Sequence, residues 1–169
     1  MVSAGSGADV TAIRALFDAQ AGYTTPKIDV RGVVFRDDQL LLVREDLDAG
    51  RWTLPGGWAD VGDTPSGAVA REIREEAGYR ARAVKLLALY DRATQGHPPY
   101  LFSAYKAFFL CELIDAEQNL VPNAETSQTG WFAESALADL DLSLGRVTLT
   151  QLRRFFEHHR CPELPTDFD

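Results

Sequence analysis

The chain has 169 residues, of which 46% are hydrophobic and 25% charged, and its formal net charge is -8. This is the size and composition of one globular domain with a single core. The negative charge argues against general binding of nucleic-acid backbone, which needs a basic surface. It does not exclude a nucleotide substrate whose phosphates are screened by a bound cation.

Cysteine and histidine are scarce, which bears on both the cellular compartment and the kind of metal site that the chain can form. Cys111 and Cys161 have no second pair with which to build a disulfide framework, the N-terminus lacks the pattern of a secretory signal, and no apolar run reaches the roughly 18 residues of a membrane span. We therefore expect a cytoplasmic protein that does not contact a membrane. With three histidines and no C-x-x-C, a metal site would be built from oxygen ligands, which favours Mg²⁺ or Mn²⁺.

Residues 1–25 are predicted to form a tail and one helix, ahead of a single domain at residues 26–169. Within the first segment, apolar residues recur at helical spacing between Asp9 and Gln20, and Pro26 stops any continuation.

In the domain, the hydrophobic pattern predicts strands and helices in a mixed order. The predicted strands are residues 27–35, 40–44, 84–90 and 104–113, with short apolar elements at 52–54 and from Trp131 onward. The predicted helices are residues 64–77 and 147–159, and residues 115–130 are polar and irregular. The run at 104–113 is long and apolar, as is typical of a central strand. This order indicates a mixed sheet flanked by helices, in an α+β or α/β fold.

The first of these helices carries an unusual concentration of carboxylates. Thr64 is its predicted N-cap and Gly78 lies just past its predicted end, and an apolar stripe faces the core. Glu72, Glu75 and Glu76 fall on a neighbouring arc about 100° wide at roughly 100° per residue. Three negative side chains therefore share one edge of the helix.

This crowding is unfavourable by local rules. Glu72 and Glu76 form a like-charged i,i+4 pair that costs on the order of 0.2–0.5 kcal/mol. Glu75 and Glu76 also lie near the negative end of the helix dipole. A solvated charged face is the ordinary explanation of such spacing, but a divalent cation would reverse the sign of the cluster. The preceding Gly56 and Gly57 allow a ligand to approach the backbone closely, which favours the second explanation.

Together these residues resemble the Nudix box, written G-x5-E-x7-R-E-U-x-E-E-x-G-U with U a bulky apolar residue. The chain has Gly57, then Asp63 in place of the box glutamate, then the run R-E-I-R-E-E-A-G-Y at residues 71–79, with every spacing intact. Asp63 is one methylene shorter than glutamate, and Tyr79 replaces an aliphatic residue. The resemblance implies the Nudix fold, an α+β protein with an α/β/α sandwich.

The resemblance also implies roles for individual residues. Metal ligation would fall to Glu72, Glu75 and Glu76, with the backbone carbonyl of Gly56, and Glu72 or Glu76 would act in catalysis. Arg71 would orient a box glutamate. A further acid often precedes a late Gly-Trp in the family, and Glu125 resembles it in placement, with Glu112 and Glu117 as alternatives.

Phrases across most of residues 22–169 are similar to a bacterial Nudix subfamily often described as ADP-ribose or CDP-choline pyrophosphatases. They include RWTLPGGWADVGD, VKLLALYDR and LPTDFD. The implied reaction is metal-dependent hydrolysis of a nucleoside diphosphate linked to another group, giving a nucleoside monophosphate and a phosphorylated product. These relatives carry a longer helical N-terminal region, so a homodimer stays open for this chain.

The sequence identifies the substrate-binding residues less clearly than the metal ligands. The candidates for substrate binding are Arg44, Arg51, Trp58, Tyr90 and His97. Arg92 is a further candidate for outer phosphates, and Tyr100, Phe102 and Tyr105 for stacking on a base. Each could equally serve as ordinary core or surface.

Three functional alternatives stay open at this point. One is a nucleotide-sensing Nudix domain without turnover, another a hydrolase of nucleoside triphosphates or dinucleoside polyphosphates. The third is an interaction domain with an incidental acidic helix.

Overall fold

The computed structural model of the protein describes Thr11, residues 25–119 and residues 126–169. Apart from Thr11, the predicted N-terminal helix lies outside the described residues, and so does Glu125. The strands are β1 (Lys27–Arg36), β2 (Gln39–Glu45), β3 (Arg51–Thr53), β4 (Gly56–Trp58), β5 (Ala81–Asp91), β6 (Ala104–Leu113), β7 (Thr126–Phe132) and β8 (Asp167–Phe168). The helices are α1 (Pro65–Ala77) and α2 (Leu149–Arg160), and short 3₁₀ turns lie at Asp46–Asp48, Arg92–Thr94 and Glu134–Asp139.

The strands of the described residues form one mixed sheet. Its order is β3-β2-β1-β6-β5-β8, with β4 paired to β1 and β7 paired to β2. β1 runs parallel to β6 and β5 runs parallel to β8, whereas the other pairings are antiparallel. The long apolar strand β6 therefore lies at the centre, as its sequence predicts.

A hydrophobic layer covers each face of the sheet, because side chains alternate along β1 and β2. Val30 and Leu41 belong to the layer under α1, together with Val69 and Ile73 of the helix. The other layer holds strand residues that point to the opposite face, Val33, Leu40 and Leu42, with Leu152, Phe155 and Phe156 of α2. The architecture is an α/β/α sandwich, which confirms the predicted fold class.

The sequence misplaces the elements that have no apolar pattern of their own. Residues 115–130 are predicted as irregular, yet β7 begins at Thr126 and pairs with β2 through most of its length. Strands β4 and β8 are missed because they contain three and two residues and are held by backbone pairing with β1 and β5. In the described part of the chain, no helix is both long enough and apolar enough to cross a membrane.

Candidate active site

Helix α1 presents its acids to the strand β4, because both ends of the helix and its apolar stripe are fixed. Thr64 caps the N-terminus by accepting a hydrogen bond from the Gly67 N–H at 3.1 Å. At the other end, Gly78 adopts a φ of 72° and its N–H donates to the carbonyl of Arg74. The predicted helix boundaries are thereby confirmed.

Glu76 lies almost completely inside the protein, with 6% of its surface exposed. Its Oε2 accepts a hydrogen bond of 2.8 Å from the backbone N–H of Gly56, which ties the end of α1 to the start of β4. Burial raises the pKa of Glu76 to about 8, although the charge of Arg31 acts in the opposite direction. A buried carboxyl of this kind gains most from a nearby positive charge.

Gly56 can hold this position only as glycine. Its φ is +149°, and a Cβ atom at this residue would lie 2.0 Å from the carbonyl oxygen of Val30. A side chain here would push β4 away from β1 and move the backbone N–H of Gly56, which donates to Glu76. The role of the Gly56 carbonyl as a metal ligand stays a prediction.

Glu72 packs against the neighbouring Gly57. A Cβ atom on Gly57 would lie 3.1 Å from the Oε1 of Glu72, so the absent side chain leaves room for the carboxylate. Burial raises the pKa of Glu72, while Arg71 opposes the shift. Two box glutamates are thus positioned by two successive glycines.

Arg71 holds the acids of this edge together. Its Nη1 lies 2.8 Å from a Glu72 oxygen and 3.3 Å from Glu75, and its Nη2 lies 3.3 Å from Asp63. The substitution of aspartate for the box glutamate therefore leaves a carboxylate within reach of Arg71. These contacts are what a residue that orients glutamates requires, although its catalytic role stays a prediction.

The donor set can be compared with the needs of a divalent ion. As the side chains stand in the described residues, no group of three or more His, Cys, Asp or Glu is arranged to hold a metal ion. Arg71 supplies the positive charge that bridges Glu72 and Glu75. The chemistry of the residues nonetheless fits a divalent ion. The carboxylates of Glu72, Glu75 and Glu76 are hard oxygen donors crowded at one edge of the helix, and burial raises the pKa of Glu72 and Glu76.

A buried ion network lies beside this edge, and none of its residues was predicted from the sequence. Arg31 donates to Asp29 at 3.0 Å and to the carbonyl of Leu54 at 3.2 Å, and the Lys106 ammonium also pairs with Asp29. Lys106 is only 1% exposed, and burial lowers its pKa to about 8. The signal was present in β1, where the charged residues Asp29 and Arg31 alternate with Ile28, Val30 and Gly32.

This network forms one wall of a cavity of about 260 Å³. The cavity is lined by Asp29, Arg31, Trp58, Arg92, Tyr100, Gly145 and Arg146. Three arginines therefore line the cavity, while the carboxylate of Asp29 is already paired with Arg31 and Lys106. Despite the net charge of the chain, this cavity suits an anionic ligand.

Of the five residues predicted to bind substrate, Trp58 is the one that lines this cavity. His97 lies in the adjoining cavity of about 370 Å³, where its Nδ1 is 2.7 Å from the Leu144 carbonyl oxygen. Arg44 donates at 2.7 Å to the carbonyl of Gly50 in the turn before β3. These positions assign no role by themselves.

Two further candidates lie elsewhere. Arg51 pairs with Asp48 at 3.1 Å and with Asp141 at 3.3 Å. It lines another cavity of about 430 Å³, which shares Gly145 and Arg146 with the cavity of about 260 Å³. Tyr90 lies at the β5–β8 end of the sheet, with its hydroxyl 3.4 Å from Asp167.

The three candidates for the further acid differ in their surroundings. Glu112 pairs with Arg82 at 2.8 Å on the exposed face of β6, and Glu117 is exposed. Glu125 is outside the described residues, so its role stays a prediction.

Comparison with known proteins gives a consistent result. The model of the NUDIX domain matches residues 25–152. YjhB of Bacillus subtilis, a provisionally assigned ADP-ribose pyrophosphatase, is 40% identical over 161 residues, which cover 95% of this chain and 75% of YjhB.

Two solved structures extend this similarity to the fold. An ADP-ribose pyrophosphatase from Streptococcus suis is 38% identical, with a TM-score of 0.74 over 86% of this chain and 100% of the other. A UDP-X diphosphatase is 28% identical, with a TM-score of 0.80 over 96% of this chain and 76% of the other. The chain therefore belongs to the Nudix family and is a pyrophosphohydrolase.

Proposed function

We propose that the protein hydrolyses the pyrophosphate bond of a nucleoside diphosphate linked to another group, with Mg²⁺ or Mn²⁺ as cofactor. The candidate substrates are ADP-ribose, CDP-choline and sugar nucleotides. The observation that carries the proposal is that Glu76, tied to the backbone N–H of Gly56, interacts electrostatically with Arg31, which lines a cavity together with two further arginines. The names of the relatives support the same substrate class.

In this proposal the arginines of the cavity bind the diphosphate. Arg31 and Arg146 are held by carboxylates, since Asp29 contacts Arg31 at 2.9 Å and Glu45 contacts Arg146 at 3.0 Å. Guanidinium groups fixed in this way bind phosphate oxygens with little loss of side-chain freedom. The ligand would be held between these groups and the edge of α1.

The box glutamates would hold the metal, with Glu72, Glu75, Glu76 and the Gly56 carbonyl as ligands. When bound, a divalent ion neutralises the charge of a diphosphate and lowers the pKa of a coordinated water. Arg71 would orient Glu72 and Glu75. Glu72, Glu76 or Glu125 would accept the proton of the attacking water as the phosphorus–oxygen bond of the leaving group breaks.

The domain boundaries, the cellular location and the oligomeric state are also proposals. The catalytic domain would comprise residues 26–169, with residues 1–25 as a separate tail and helix. A cytoplasmic location is supported by the free thiols of Cys111 and Cys161. A homodimer stays a prediction that light scattering would test.

The reaction is tested by incubating the purified protein with ADP-ribose, CDP-choline and a UDP-sugar, with and without Mg²⁺, and following products by phosphorus NMR. We expect a nucleoside monophosphate and a phosphorylated second product, only with the metal. Glu157→Gln removes an exposed glutamate from an ion pair on α2, away from the cavity, and serves as the matched control for box variants. Binding without turnover for every substrate would identify a sensing domain and refute the proposal.

A further inference from the structure

His97 connects the loop between β5 and β6 with the segment that leads into α2. Its Nδ1 lies 2.7 Å from the carbonyl oxygen of Leu144, and its Nε2 lies 3.3 Å from the Nε2 of Gln151. Gln151 belongs to the first turn of α2 and is only 3% exposed. Both ring nitrogens are therefore held by the segment that contains Leu144 and Gln151.

The orientation of the Gln151 amide determines where the proton of this ring lies. The backbone N–H of Thr148 can only donate, and it donates to the side-chain oxygen of Gln151 at 3.0 Å. The NH₂ group of Gln151 therefore faces His97 and donates to Nε2, which can accept only in the neutral ring. Since the Leu144 carbonyl can only accept, the proton of the neutral ring lies on Nδ1.

Protonation of Nε2 would place two donors against each other. Burial has the largest effect on the ring and lowers the pKa of His97, although the bond to Leu144 acts in the opposite direction. Lys106 of β6 and Arg92 after β5 also disfavour the imidazolium, whereas Asp29 of β1 favours it and α2 presents only the uncharged amide. The neutral ring is thus the form that joins the two segments at neutral pH.

Each of the two segments carries an arginine of the cavity of about 260 Å³. The carbonyl of Pro98, the residue after His97, accepts from Arg92 at 2.7 Å. Gly145 and Arg146 directly follow the residue whose carbonyl binds the His97 ring. A Cβ atom on Gly145 would lie 4.0 Å from the Arg92 guanidinium, so the two segments meet at the cavity wall. A shift of one segment would therefore change the separation of its arginine from the other.

We infer that His97 is a positioning residue: with its proton on Nδ1, it joins the two segments and sets the separation of Arg92 and Arg146. This inference rests on the proposed function, because there these arginines bind the diphosphate. His97 then acts without contacting the substrate, and binding depends on the neutral ring.

Nitrogen-15 NMR of the imidazole rings tests the arrangement in the absence of substrate. Neutral His97 should carry its proton on Nδ1, and its titration midpoint should lie below the usual value of about 6.5. In Gln151→Glu the carboxylate can accept from Thr148 and from a protonated Nε2, so the midpoint should rise. A neutral ring with its proton on Nε2, or an unchanged midpoint in Gln151→Glu, would overturn the inference.

Calorimetric binding of inorganic pyrophosphate to the metal-free protein connects the ring to the arginines. His97→Asn keeps a donor for the Leu144 carbonyl but neither reaches Gln151 nor titrates, so its affinity at pH 7.5 should be about fivefold lower. As the pH falls below the midpoint of His97, the wild-type affinity should approach that of the variant. Comparison at equal pH cancels the titration of pyrophosphate itself, and a pH-independent ratio of the two affinities would overturn the inference.

His159→Asn is the matched control. His159 also lies on the segment of α2, but it contacts Asp38 at 3.0 Å and does not line the cavity. This variant should bind pyrophosphate as the wild type does at every pH. A loss equal to that of His97→Asn would overturn the assignment to His97.

Kinetics separate failure of this inference from failure of the proposed reaction. We expect His97→Asn to raise KM for the turned-over substrate by about fivefold at pH 7.5 while kcat changes little. Full turnover with unchanged KM would overturn the positioning role and leave the hydrolase. The Nδ1 proton and the pH-dependent ratio of affinities, found without turnover of any substrate, would support the positioning role and overturn the hydrolase.

Discussion

Glu72 and Glu76 of helix α1 and Asp167 of strand β8 all lie close to arginines, yet the pKa values of the two glutamates are raised whereas that of Asp167 is lowered. Asp167 accepts hydrogen bonds from Arg154 at 2.7 and 2.8 Å, and these chiefly lower its pKa to about 2. At the other region, burial raises the pKa of Glu76 to about 8 despite the nearby Arg31.

The difference separates a stabilising cluster from a functional one. Around Asp167, two donors of one arginine meet one carboxylate, and His158 adds a third contact at 2.9 Å. Along α1, Arg71 is shared by several acids. The first arrangement favours the folded protein as it stands, whereas the second suits the arrival of another cation.

The largest expected effect is the loss of activity on substitution of Glu76. Glu76→Gln should lower kcat/KM by at least roughly 100-fold, because a metal ion contributes several kcal/mol to such reactions. The fold should persist, since the glutamine oxygen can still accept from the Gly56 N–H. Activity assays and thermal unfolding measure the two effects, and wild-type turnover would remove Glu76 from the mechanism.

Gly56 tests whether the backbone sets the acidic edge. Gly56→Ala should destabilise the protein by about 3 kcal/mol, because the new Cβ would collide with the Val30 carbonyl in addition to adopting a strained φ. Gly62→Ala is the matched control, since Gly62 also has positive φ but nothing within 4 Å. It should cost about 1 kcal/mol. Equal losses in urea unfolding would show that the collision does not matter.

Arg71 tests the orientation of the acids. Arg71→Lys keeps the charge but cannot reach Glu72, Glu75 and Asp63 together, so kcat/KM should fall by about tenfold. Arg74→Lys is the control, because Arg74 is exposed and approaches Glu75 only to 3.9 Å. If both variants retain wild-type kcat/KM, the guanidinium does not orient the site.

Substitution of Asp167 should have the smallest effect, a loss of folding stability that depends on pH. Its pKa is lower in the folded protein, so its stabilisation is fully present above about pH 4 and is lost as the pH falls toward 2. Asp167→Asn should therefore cost on the order of 1 kcal/mol at pH 7, after allowing for solvent screening, and almost nothing at pH 2. Urea unfolding at several pH values measures this, and a pH-independent difference would refute the assignment.

The sequence predicted the elements that have a periodic apolar pattern. Strands β1, β2 and β6 and helix α1 lie close to their predicted positions, because each buries a stripe whose spacing is readable. Strand β7 was predicted too short, since its pairing with β2 depends on backbone groups.

The site was predictable where local spacing defines it. The box acids share one helix, so their positions follow from helical geometry. The cavity combines Arg31 of β1, Arg92 after β5 and Arg146 before α2. Such a combination depends on the sheet topology, and no local pattern in the chain specifies it.

Binding of Mn²⁺ to the metal-free protein, measured by calorimetry in the wild type and in the double variant Glu72→Gln/Glu76→Gln, tests the central claim most directly. We predict one or more sites in the wild type and at least roughly tenfold weaker binding in the variant, with Glu157→Gln unchanged. Equal Mn²⁺ affinity in all three proteins would contradict the account.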